Sequence, residues 1–141
     1  MALETKDWEG INRCLTRLYR ELDSQRHPRL MLELLHELVP VDSSAVNLYK
    51  PPNELTAIEF PEHCMTAEQV ALVGRYGRQS PYAAYYLTTQ DASWKMTTDF
   101  MPVEEFQKLD LHQIALKPLG VNYQLGGFLM SMDGTSHVIT L

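Results

Sequence analysis

His63 and Cys64, with Glu62 just before them, are the one place in the chain where a thiol and an imidazole are adjacent. A Cys/His pair performs nucleophilic chemistry when the base holds the sulfur as a thiolate and a third group orients the base. No such third group is identifiable here, and no thiol-enzyme pattern surrounds the pair. The same residues are metal-ligand types, yet a tetrahedral zinc site takes four ligands. The five histidines, His27, His36, His63, His112 and His137, are scattered along the chain. Cys14 and Cys64 make no C-x-x-C motif, so reduced thiols are the expectation. Gly126-Gly127 is not followed by the lysine or the spacing of a phosphate loop, and glycines within a strand mark a bulge or a close approach instead. These residues point away from an enzyme, and no metal or cofactor is expected.

The second chemistry on offer is recognition of a small organic ligand. Tyr82, Tyr85, Tyr86 and Trp94 fall within thirteen positions, and Tyr49 and Tyr123 stand in strand-like runs that can face the same side. Aromatic bodies with polar tips suit a pocket that holds an organic molecule and orients it by a few hydrogen bonds. Asp99 adds an acceptor. The candidate ligand-binding residues are therefore Tyr49, Tyr82, Tyr86, Trp94, Asp99 and Tyr123. An ordinary core explains the same residue types: Tyr82, Tyr85 and Tyr86 sit at i, i+3 and i+4 of any buried helical stripe, and Asp99 also suits a helix N-cap.

These side chains need a frame, and the hydrophobic periods supply one. Trp8, Ile11, Leu15, Leu18 and Leu22 recur at helical spacing opposite Lys6, Glu9, Arg13, Arg17 and Arg20, which predicts an amphipathic helix. A second helix begins at His27-Pro28, buries Met31, Leu34, Leu35 and Leu38, and ends at Val39-Pro40. The period then changes to two. SSAVNLYK and LTAIEF read as a hairpin around PPNE. Thr66 with Gln69 makes a capping box for a helix that Gly77 closes, and SPYAAYYL is a further helix. DASWKM reads as a strand of about four residues. Asp99 and Pro102 introduce a helix over VEEFQKL, and another starts at Asp110 and stops at Leu119-Gly120. VNYQLGGFLMSM is the longest strand candidate, with a turn at Asp133-Gly134 and SHVITL pairing back. Strands and helices do not alternate as a doubly wound fold requires, so the class is α+β, an antiparallel sheet with helices packed on its faces.

Composition bounds what such a fold can do. The 141 residues fit one domain, and 45% hydrophobic with 21% charged residues is the balance of a chain that folds. A net charge of -6 argues against coating a phosphate backbone. No apolar run reaches the roughly 20 residues of a membrane span, and MALETKDWEG lacks the features of a signal peptide, so no membrane partner and a cytoplasmic location are expected.

The stretch SPYAAYYLTTQDASWKMTTDFMPVEEFQKLDLHQIALKPLGVNYQLGGFL is similar to the GAF-like N-terminal domain of LuxR-type helix-turn-helix regulators, and the element order resembles a GAF/PAS-type sensor. Pro81 matches the proline that opens a helix, and Tyr86-Leu87 its end. Asp99-Phe100 matches a turn, with Thr98 where serine is usual, and Phe106 matches the aromatic of the next helix. Pro118-Leu119-Gly120-Val121 matches a break and Gln124-Leu125 a strand. His112 stands where an aromatic or acidic residue is expected. The resemblance covers most of the chain and rests on structural motifs. It implies a single GAF-like sensor domain over 1–141, with N-terminal helices over 1–40 and the sheet with its covering helices over 41–141. It further implies a small organic ligand and a homodimer. DNA would be reached only through a separate helix-turn-helix domain that this chain does not contain. The first helix either packs on its own domain or joins a dimer's helical bundle.

Overall fold

The computed structural model describes residues 2–50, 54–89, 91–132 and 135–141. Helix α1 (Thr5–Arg20) opens on a reciprocal cap in which the Glu4 amide donates to the Asp7 carboxylate at 2.8 Å. Helix α2 (His27–Leu38) starts with Pro28 in its first turn, where a missing N–H costs nothing. Strands β1 (Ser44–Lys50) and β2 (Glu54–Phe60) pair antiparallel with Val46 opposite Ile58. Most of the PPNE turn expected between them lies outside the described residues. Helix α3 (Ala67–Tyr76) carries the expected capping box: Gln69 N–H donates to Thr66 Oγ1 at 3.2 Å, and Thr66 N–H to Gln69 Oε1 at 2.7 Å. A 3₁₀ turn (Gly77–Gln79) then leads into α4 (Pro81–Thr89).

Between α4 and the last hairpin the chain is more broken than its periodicity suggests. Strand β3 is Lys95–Met96 alone, shorter than the run DASWKM predicts. The Asp91 carboxylate accepts from Ser93 N–H, Ser93 Oγ and Tyr85 OH, which ties the start of that run into a loop. Asp99 does not cap the helix that follows. It closes a 3₁₀ turn (Thr97–Asp99) and reaches backward, accepting the Met96 amide at 2.7 Å, while α5 (Val103–Phe106) begins after Pro102 and spans four residues. Leu111–Leu116 is π-helical, with the wider turn of that geometry. Gly120 ends the segment at φ 76°, a left-handed conformation that favours glycine.

Strands β4 (Leu125–Met132) and β5 (Thr135–Thr140) complete an antiparallel sheet of order β2-β1-β5-β4-β3. The turn expected at Asp133-Gly134 lies outside the described residues. The ladder shifts register between Phe128 and Met130, a bulge. Side-chain alternation gives the sheet two distinct faces. One carries Val46 and Ile139, fully buried with Leu32 of α2, and Leu35, Ile58 and Phe60 pack around them. The other carries Ala45, Asn47, Phe128, Val138 and Thr140 toward α3, α4 and the π-helical segment. Phe106, Leu111, Ala115 and Leu116 form a separate core among those helices. The fold is α+β, with helices on both faces of one antiparallel sheet.

Of the two placements open to helix α1, the structure shows packing within its own domain. It packs chiefly on α2, so Gly10 and Cys14 are buried while Trp8, Leu15 and Leu22 of the apolar stripe remain exposed.

Candidate functional site

A cavity of about 500 Å³ separates the second sheet face from its helices. Its floor is Ala45, Asn47, Val138 and Thr140 from the central strands β1 and β5. Its wall is a run of small residues, Gly74, Gly77, Ser80 and Ala83, which recur every three positions from α3 through the 3₁₀ turn into α4. Leu111 and Leu116 close the far side, and Pro61, Cys64 and Met65 border it from the loop after β2. The space exists because small side chains stand where sheet and helices face each other; large ones there would fill it.

Two of the sequence candidates line this cavity, Tyr49 on the floor side and Tyr82 on the helix side. Tyr82 is held by its polar end. Its hydroxyl donates to the Gln124 carbonyl at 2.5 Å and lies 3.1 Å from Thr97 Oγ1, and Thr97 is itself fully buried. Burial pushes this phenol up to about 12, so it stays protonated. Tyr86 stands behind it, fully buried, its hydroxyl within reach of the Gly126 carbonyl at 2.7 Å and the Ser93 carbonyl at 2.9 Å. Burial again pushes the phenol up to about 12. The Tyr82 ring needs a glycine of β4: a Cβ on Gly126 would meet it at 2.7 Å.

The other three candidates stand away from the cavity lining. Trp94 covers Gly127, where a Cβ would meet the indole at 2.9 Å. Gly127 pairs with Ile139, whose side chain is on the α2 face, so Trp94 lies on the opposite side of the sheet from the cavity. Asp99 is occupied by the Met96 amide. Tyr123 is exposed, its hydroxyl 3.2 Å from Thr98 Oγ1.

The remaining polar groups of the lining are few. Asn47 Nδ2 donates across the ladder to Thr140 Oγ1 at 3.0 Å, which leaves a second N–H and the carboxamide oxygen on the cavity floor. Cys64 Sγ donates to Glu59 Oε2 at 2.9 Å, and the same carboxylate oxygen accepts the Met65 amide. Burial of the sulfur, together with the Glu59 hydrogen bond and charge, pushes the thiol up to about 11, the opposite of what a nucleophilic cysteine needs. Among the described residues, no cluster of three His, Cys, Asp or Glu side chains could hold a metal ion.

No protein-family model matches the chain, and no curated protein matches it. Solved structures do. The VqsR ligand-binding domain from Pseudomonas aeruginosa superposes with a TM-score of 0.66 at 15% identity, covering 98% of this chain and 80% of that one. CepR2 from Burkholderia cenocepacia, an N-acylhomoserine lactone dependent LuxR family transcription factor, superposes with a TM-score of 0.65 at 10% identity, covering 97% and 78%. The chain has the fold of LuxR-type ligand-binding domains. At such low identity the likeness lies in the architecture of sheet and helices, and the chemistry of the cavity has to be taken from this chain's own residues.

Gly74, Gly77, Ser80 and Ala83, which shape the cavity wall, are not among the sequence candidates. The signal for them was the three-residue recurrence of Gly74, Gly77, Ser80 and Ala83, a small-residue stripe beside a predicted sheet.

Proposed function

We propose that this chain is the small-molecule-sensing regulatory domain of a LuxR-type transcriptional regulator, acting in the cytoplasm. Ligand binding changes its conformation or its pairing with a second copy, and DNA is contacted by a separate helix-turn-helix domain. The observation that carries the reading is the cavity of about 500 Å³ between sheet and helices, within the range of roughly 300–1,000 Å³ typical of small-molecule sites. Its lining favours a ligand with a mostly apolar body and a few polar atoms. Asn47 supplies a donor and an acceptor, Tyr49 and Tyr82 supply aromatic contact, and Tyr86 fixes Tyr82 in place. Trp94, Asp99 and Tyr123 support the strands and turns around the site. The fold likeness to CepR2 supports the same class of function. Binding is favoured over catalysis because Tyr82 and Cys64 both hold their protons near neutral pH. Among the described residues, no helix is long and apolar enough to cross a membrane.

To signal, the ligand must bind one of two conformations better than the other. Native mass spectrometry of the purified chain beside a denatured control is the direct test: an extra mass, lost on denaturation, is expected. The variant Ala83→Trp, which fills the wall, is expected to fold and to lose that mass. An extra mass that survives Ala83→Trp would place the ligand elsewhere, and saturating ligands that never change stability or oligomeric state would remove the sensing role. The alternative is a ligand-free dimerisation or protein-interaction module, favoured by the exposed apolar residues of α1; a dimer with no bound mass would select it.

A further inference from the structure

The floor of the cavity comes from the middle of the sheet, and it carries one carboxamide. Asn47 of β1 stands opposite Val138 of β5, and its Nδ2 donates to Thr140 Oγ1 at 3.0 Å. One N–H and Oδ1 remain, and a half-buried amide gains by pairing them. The nearby polar ends are already committed elsewhere: the Tyr82 hydroxyl donates to the Gln124 carbonyl, and the Cys64 thiol donates to Glu59. On the floor itself Asn47 is flanked by Ala45 and Val138, which offer no polar side chain.

The space above that carboxamide is shaped like a slab. Gly74, Gly77, Ser80 and Ala83 project nothing longer than a hydroxymethyl from the wall, and a Cβ added at Gly77 would meet nothing within 4 Å. Between a sheet face and so smooth a helix face, a flat ring makes contact on both sides, where a bulkier body would have to push the layers apart. Charge in the lining is confined to Asp42 and Arg78, both exposed. The floor is neutral, so an ion seated on it would lose its hydration without gaining a counter-charge.

A donor and an acceptor on one edge of a carboxamide are matched by a partner that presents an acceptor and a donor side by side, as asparagine matches the edge of adenine. An open-chain secondary amide is trans and points its N–H and C=O in opposite directions. Ring closure holds the amide cis and puts both on one edge. We propose that the cavity takes a flat, neutral ring compound with a cis-amide edge, a lactam or pyridone, whose N–H donates to Asn47 Oδ1 and whose carbonyl accepts from Asn47 Nδ2, while Thr140 keeps the N–H that points away from Oδ1. This ligand class rests on the reading of the cavity as a sensing site. Within that site Asn47 selects the ligand and the small-residue wall sets its thickness.

NMR titration of the chain with four bicyclic probes of similar size tests it. 2-Quinolone has the N–H and carbonyl edge, N-methyl-2-quinolone and coumarin keep the carbonyl without the N–H, and naphthalene has neither. 2-Quinolone is expected to bind at least about tenfold more tightly than the other three, the gain of a bidentate pair, and to shift the Asn47 side-chain amide resonances. Asn47→Leu should bring the four to similar affinity. Asn47→Asp, to which the Thr140 hydroxyl can donate, should reverse the preference and favour protonated 2-aminoquinoline, whose edge carries two N–H donors, over 2-quinolone. Equal binding of the four probes by the wild type, or a preference for 2-quinolone that survives Asn47→Leu, overturns the cis-amide edge; naphthalene binding that is lost in Ala83→Trp then still leaves the cavity's role standing. If no probe binds the wild type, naphthalene included, the cavity reading falls together with the ligand class.

Discussion

On the α2 side of the sheet, Val46 and Ile139 pair across neighbouring strands and are sealed by Leu32 with no exposed surface left to speak of. One residue along the same strands, Ala45, Asn47, Val138 and Thr140 point the other way and border about 500 Å³ of open space. Backbone, ladder and twist are shared, so the difference lies wholly in side-chain size and in what the covering helix brings: leucines from α2, glycines and alanines from α3 and α4. A filled face stabilises the domain and an unfilled one does not, because each missing contact forfeits dispersion and burial. Retaining the unfilled face has a stability cost that suits a site for something else to occupy.

The largest effect is expected from breaking the filled face. Leu32→Ala removes a fully buried side chain from the cluster with Val46 and Ile139, and is expected to lower stability by about 2–5 kcal/mol in urea unfolding. A loss below about 1 kcal/mol would mean that α2 is loosely docked and the contrast between faces is not real. Where filled and open regions meet on β4, Gly126→Ala drives a methyl into the Tyr82 ring. Overpacking of this kind costs about 1–3 kcal/mol, and it should also displace Tyr82 and weaken ligand binding in the same variant.

The open face is expected to respond with the opposite sign. Gly77 has φ -55°, ordinary for alanine, and a Cβ there meets nothing within 4 Å. Gly77→Ala is therefore expected to stabilise the chain by about 0.4–1 kcal/mol through the lost freedom of the unfolded state, while adding a methyl to the cavity lining. Raised stability with weakened ligand binding is the signature of a wall kept small for use. Raised stability with binding unchanged would shift the site away from the 3₁₀ turn.

The legible parts of this molecule were those decided by local chemistry. The Thr66–Gln69 box, the stop at Gly120, the alternation of Val46 and Leu48 and the close-approach role of Gly126-Gly127 each depend on neighbours in sequence or on one ladder, and all are present. Asp99 was harder, because a carboxylate beside a turn can accept from an amide on either side, and here it turns back to Met96. Trp94 was placed with the tyrosines by proximity in sequence, but one position of strand register sends it to the other face. The cavity was legible only in part from chemically active residues: Tyr49 and Tyr82 line it, but the rest of the lining comes from separate strands, turns and helices, and its wall is made by the small residues Gly74, Gly77, Ser80 and Ala83. The six ligand candidates thus divide by geometry into Tyr49 and Tyr82 at the lining, Tyr86 behind it, and three elsewhere.

The smallest expected effect concerns a proton on the filled face. His36 of α2 lies 2.9 Å through Nε2 from Ser44 Oγ and edge-on to Phe60, and burial lowers its proton affinity below the ordinary value near 6.5. The unfolded chain then binds the proton more readily than the folded one, so stability from this group is fully present above about pH 6.5 and is lost as pH falls through the lowered folded value. Urea midpoints should therefore decline modestly between neutral and mildly acidic pH, and His36→Gln, which retains a hydrogen-bonding group without the titration, should flatten that part of the profile. Ligand affinity, read on the other face, should not follow the same curve. If His36→Gln leaves the decline intact, the proton is taken up elsewhere; if affinity tracks it, the two faces are coupled through β1, whose Ser44 holds the histidine while its Asn47 lines the cavity.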